Sequence, residues 1–172
     1  KGRITTDLLR EPLRDVTFTA RYDNGQERNL RTTRFEIRDF QGYFNRELLE
    51  MQLTVENLTY PTVDLQLNGA LPMEALVGFL DNNKITGASG EIEFRDIEIK
   101  GRYKDMLSTA RTEGVRTRGT VEFDDASLSI NKKDLTLDRG RIQFAGNDYE
   151  VQDLHFEGPG TDIEFEGQCK NL

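Results

Sequence analysis

The chain has 172 residues, 31 acidic against 23 basic, a formal charge of −8, a hydrophobic fraction of 35% and a mean hydropathy of −0.66. That length allows a substantial core, and the regular placement of Phe, Ile, Leu and Val excludes a disordered chain. Acidic and basic residues are interspersed without a basic stripe, which excludes nucleic acid as a partner on electrostatic grounds.

Residues before Val16 set Ile4, Leu8, Leu9 and Leu13 among many charges, and fit a short helix or a first strand equally. Beyond them apolar residues recur two apart, as a strand with one buried face requires. Asp23-Asn24-Gly25 predicts a tight reversal before the pairs Phe35 and Ile37, Met51, Leu53 and Val55, and Val63, Leu65 and Leu67. From Leu71 to Asp81 the spacing turns helical, with Ala75, Leu76, Phe79 and Leu80 behind Pro72 at a first helical position. Alternation resumes in Ile92 and Phe94, then Ile97 and Ile99, with a phase slip at Arg95-Asp96 that predicts a bulge. Lys104 to Arg111 buries only Met106, Leu107 and Ala110 and predicts one or two helical turns, stopped by Gly114.

The rest alternates through Val121 and Phe123, Leu128 and Ile130, Leu135 and Leu137, Ile142 and Phe144, Leu154 and Phe156, and Ile163 and Phe165. Reversals are predicted at Asn131 to Asp134, Asp138-Arg139-Gly140, Gly146-Asn147-Asp148 and Gly158-Pro159-Gly160. The expected fold is mainly β: an antiparallel meander forming a curved sheet or open groove-like structure, with one or two short helices, in a single domain over residues 1–172. An apolar-x-apolar-x-Gly repeat ending at Gly69, Gly101, Gly158 and Gly167 is expected to mark strand ends. A second echo pairs Gly90-Glu-Ile-Glu-Phe-Arg-Asp with Gly119-Thr-Val-Glu-Phe-Asp-Asp and supports serial hairpin units.

Groups for chemistry are scarce. His155 is the only histidine and alternates away from Leu154 and Phe156, so it reads as a surface residue. With one His and one Cys, Cys169, the chain cannot build a common zinc site or an intrachain disulfide. Asp124 and Asp125, or Glu91 and Glu93, are acid and base candidates by residue type, but their spacing fits strand ends and a solvated face better. Asp23-Asn24-Gly25 lacks the later oxygen ligands of a calcium loop, and Gly158-Pro159-Gly160 lacks the helix a phosphate loop needs. No enzyme and no cofactor is expected. The apolar stripe reads either as the inside of a two-sheet sandwich, which would leave a structural or adhesive module, or as the floor of a lipid groove.

No stretch approaches the roughly 20 apolar residues of a membrane-spanning helix. The chain opens at Lys1, which leads us to expect a segment of a longer protein. Val63 to Gly69, Leu71 to Leu80, Ile85 to Gly101, Phe123 to Asn131, Leu135 to Phe144 and Leu154 to Gly167 resemble the C-terminal region of AsmA-family proteins, over about residues 50–172. The resemblance implies a periplasmic segment of a protein anchored in the inner membrane by a part outside this chain. It would shield phospholipid, or another envelope lipid, in transit to the outer membrane. The family has no catalytic pattern to carry over. The groove-facing candidates, placed by alternation, are Ile92, Phe94, Ile97, Ile99, Val121, Phe123, Leu128, Ile130, Ile142, Phe144, Leu154, Phe156, Ile163 and Phe165.

Overall fold

The computed structural model describes residues 2–5, 12–44, 46–80, 85–106, 114–130 and 133–170, with the side chains of 76, 78–80, 86 and 130 outside the description. The strands are β1 (Gly2–Ile4), β2 (Leu13–Asp23), β3 (Arg34–Phe44), β4 (Glu47–Glu56), β5 (Thr62–Pro72), β6 (Ile85–Arg102), β7 (Arg116–Ile130), β8 (Lys133–Gly146), β9 (Asp148–Gly158) and β10 (Thr161–Cys169). Helix α1 (Met73–Leu80) lies between β5 and β6, and the short α2 (Tyr103–Met106) between β6 and β7. All ten strands form one sheet in sequence order, antiparallel throughout, and the sheet does not close on itself.

This is the expected meander. Its turns follow local chemistry: Gly158 pairs with Thr161 across Pro159-Gly160, where proline presets the first turn position and Gly160 takes φ 73°. Ala145 pairs with Asp148 across Gly146-Asn147. Asp23 accepts the Gly25 N–H at 2.7 Å, so this turn uses its carboxylate locally. The helix predicted at Leu71 to Asp81 is α1, but it begins at Met73, because Leu71 and Pro72 still pair in β5 with Ile92 and Glu91; Asp81 lies outside the described residues. Of the second predicted helix Lys104 to Met106 lie in α2, while 107–111 lie outside the described residues, as do 131–132 of the predicted turn before Lys133. The ambiguous N-terminus holds β1, with Leu13 opening β2.

Several expectations are overturned. Asp124-Asp125 is no strand end, because β7 runs through it with a bulge at Asp125, and Gly167 does not end β10, which continues to Cys169. Asp138-Arg139-Gly140 is no reversal, for β8 runs through it; a Cβ at Gly140 would lie 2.3 Å from Leu154 Cδ1, so this glycine answers a packing need. Gly69 does not end a strand, since β5 continues to Pro72 and its added Cβ would sit 2.0 Å from the Leu48 carbonyl oxygen.

The sheet is shaped by a recurring device. Asp15, Asp39, Asp96, Asp125 and Asp153 all adopt positive φ, between 46° and 52°. Asp tolerates this left-handed region better than most side chains. Each stands third in an apolar-x-Asp-apolar run: Leu13 to Val16, Ile37 to Phe40, Phe94 to Ile97, Phe123 to Ala126 and Val151 to Leu154. Register shifts accompany all five, as where Arg95 and Glu98 on β6 oppose Thr120 and Arg118 on β7. The extra residue lets two apolar side chains three apart share one face, bends the strand and adds twist. The residue after each Asp is buried: Val16, Phe40, Ile97, Ala126 and Leu154.

The echo of Gly90 to Asp96 in Gly119 to Asp125 gains a physical meaning here. Their strands pair about a local twofold, Ile92 opposite Phe123 and Phe94 opposite Val121. Gly90 then lies against the Asp125 carbonyl and Gly119 against that of Asp96, where a Cβ would come within 2.4 and 2.3 Å. Their φ values of 92° and 109° also require glycine. Each glycine makes room for the bulge of the other strand.

Candidate functional site

Rows of register partners carry the apolar residues across the sheet on one face. Phe40, Met51, Leu67 and Ile97 align over β3 to β6, and Phe94, Val121, Ile142 and Val151 over β6 to β9. Two clusters share this face. One is built on Leu13, Val16, Phe40, Phe44 and Leu49, the other on Met73, Ile92, Phe94, Ile97, Ala126, Leu137, Val151 and Leu154, and Leu67 and Leu71 touch both. Helix α1 packs Met73 and Val77 into the second. No second sheet covers this face among the described residues.

The candidates placed by alternation fall into three grades of access. Ile92, Phe94, Ile97 and Leu154 are buried and form the packed floor. Ile99, Val121, Phe123, Leu128, Ile142, Phe144 and Phe156 are half-buried, packed against that floor. Ile163 and Phe165 on β10 lie opposite Phe156 and Leu154 and are each 50% exposed. The Ile130 side chain lies outside the described residues. The face also reaches beyond these candidates, through β3 to β5 and on to Phe18, which stacks on Phe40 with ring centroids 6.2 Å apart. Alternation itself carries the stripe through Met51 of β4 and Leu67 of β5, while the bulges at Asp15 and Asp39 hide the part formed by Val16, Phe18 and Phe40 from a reading by twos.

The opposite face is charged and paired across strands. Glu122 receives Arg141 at 2.7 Å and Arg95 at 2.8 Å, and Asp64 receives Lys100 at 2.7 Å. Arg95 also holds Glu93 at 2.9 Å and keeps its carboxyl below the usual range. Glu91, opposite Asp124, is pushed up by burial and then by Glu47, Glu93 and Asp124. A cavity of about 280 Å³ lies on this side between the Asp39 and Asp96 bulges, lined by Gln52, Gln66, Asn68 and Glu98 among others.

His155 takes the charged face, between Asp138 of β8 at 3.1 Å and Asp162 of β10 at 2.8 Å. Its hydrogen bond to Asp162, then that to Asp138, raises its pKa above 6.5. Cys169 lies opposite Tyr149 at the end of β10. Among the described residues no three metal-ligating side chains converge, and no helix is long and apolar enough to cross a membrane. No protein-family model, curated protein or solved structure matches this chain.

Proposed function

We propose that the chain is a non-catalytic shield for lipid acyl chains, a segment of an AsmA-like envelope protein. In this reading the parent is tethered to the inner membrane and passes phospholipid through the periplasm to the outer membrane. The observation that carries the reading is a ten-stranded open sheet whose apolar face runs from β2 to β10 under one short helix. Its consequence is measurable in area. The chain exposes 11908 Å², whereas a compact monomer of 19.7 kDa would expose about 8600 Å².

Transfer energetics supply the mechanism. An acyl chain of about sixteen carbons in water costs on the order of 12 kcal/mol, at about 0.8 kcal/mol per methylene. The half-buried side chains Phe123, Ile142 and Phe144, resting on the packed floor, are placed to take such a chain, while the headgroup stays in water beyond the sheet rim. No bond is made or broken. An adhesive module with a fully closed core is disfavoured by the single open sheet of the described residues.

The test places photo-crosslinking residues at Phe123, Phe144 and Ile163 and, outward, at Glu122 and Gln143. Phospholipid adducts are expected at the first three and not at the last two. Equal labelling on both faces, or none anywhere, would defeat the proposal.

A further inference from the structure

β5 to β8 frame a second cavity on the charged face, about 380 Å³ in volume and lined by Asp64, Gln66, Glu98, Lys100, Arg116 and Arg118 among others. Lys100 stands directly opposite Arg116 in the register, and Arg118 follows two residues on along the same face, opposite Glu98. Like charges in directly opposed positions destabilise a strand pair. Elsewhere on this face Arg38, Arg95 and Arg141 each meet a carboxylate at 2.7 or 2.8 Å, and Lys100 does the same with Asp64. Among the described residues the side chains of Arg116 and Arg118 have no ion pair and no hydrogen bond, and both are exposed.

Three cations one or two strand steps apart suit the oxygens of a phosphate group, to which a guanidinium presents paired donors. The cavity also holds acceptors. Asp64 is taken up by Lys100, but Glu98 has no partner among the described residues and lies opposite Gln66 of β5. A bare phosphate would meet the Glu98 carboxylate without a hydrogen to offer it. We infer that this cavity binds a phosphate ester that also carries an ammonium or hydroxyl group, the phosphate on Arg116, Arg118 and Lys100 and the donor on Glu98 and Gln66. A phospholipid headgroup and a soluble phosphate ester share this chemistry. The site stands on the face opposite the acyl-chain track and does not rest on that reading.

Isothermal titration calorimetry of the full chain compares phosphoethanolamine with inorganic phosphate, and amide chemical shifts map the site. Phosphoethanolamine is expected to bind more tightly, with shifts at Gln66, Glu98, Arg116 and Arg118. The double variant Arg116→Gln, Arg118→Gln, checked for folding by circular dichroism, should weaken it about tenfold or more. Glu98→Gln should remove the preference between the two ligands. Flotation with vesicles of phosphatidylethanolamine and phosphatidylcholine identifies the source. Vesicle binding that the double variant abolishes assigns the site to a lipid headgroup, and vesicle binding that is absent or unchanged assigns it to a soluble ester. No binding of phosphoethanolamine, tighter binding of inorganic phosphate, shifts away from β5 to β8, an affinity unchanged in the double variant, or a preference that survives Glu98→Gln would overturn the inference.

Discussion

His155 illustrates how a residue with the right chemistry can be committed to structure. Its two ring nitrogens are spent on Asp138 and Asp162, tying β8, β9 and β10 together on the charged face. With its folded pKa raised, the imidazolium form stabilises the fold. That contribution is complete below the ordinary value of 6.5 and is lost as pH rises through the higher folded value. Histidine NMR titration should place its midpoint above 6.5, and Asp162→Asn should lower it. Gly119 offers a backbone counterpart. Gly119→Ala puts a Cβ 2.3 Å from the Asp96 carbonyl at φ 109°, and should cost at least about 1–3 kcal/mol in urea unfolding. Gly146→Asn, in an open turn with φ 76° and nothing within 4 Å, should change stability little.

At the scale of the strand, the bulges reconcile an irregular apolar count with one continuous face. Phe94 and Ile97 stand three apart, yet both are buried in the same cluster because Asp96 adds a residue to β6. Deleting Asp96 restores simple alternation and leaves both side chains inward. Deleting Glu93 makes Ile92 and Phe94 adjacent and turns one of them, with the strand beyond it, to the charged face. The Asp96 deletion should therefore fold with its thermal midpoint lowered by a few degrees. The Glu93 deletion should not fold, because each large apolar side chain it exposes forfeits about 1.5–3 kcal/mol. Comparable midpoints for the two deletions in calorimetry would show that the bulges do not set the face.

For the whole molecule, an open single-layer sheet has a testable dimension. A compact domain of 172 residues has a radius of gyration of about 16 Å. Small-angle X-ray scattering of the monomer should give a larger value, in line with its 11908 Å² of surface. A value at the compact limit would mean that the apolar face is folded away in solution, and would remove the support for an acyl-chain track.

Alternation by itself determined most of the strands and the helix α1, because period two and period 3.6 are properties of neighbouring residues, and the short turn sequences between them determined the antiparallel order. It also set Phe94, Val121 and Ile142 on one face and Glu93 and Glu122 on the other, and the phase slip at Arg95-Asp96 declared its bulge. The other four Asp bulges share the same apolar-x-Asp-apolar pattern, but it acquires meaning only when a partner strand shows the extra residue. Asp138-Arg139-Gly140 has turn chemistry and yet lies within β8, since Gly140 answers Leu154 on the neighbouring strand. Whether the stripe was the inside of a sandwich or one side of an open sheet was decided only by tertiary structure. The same alternation serves both, and what covers a face depends on contacts between residues far apart in the chain.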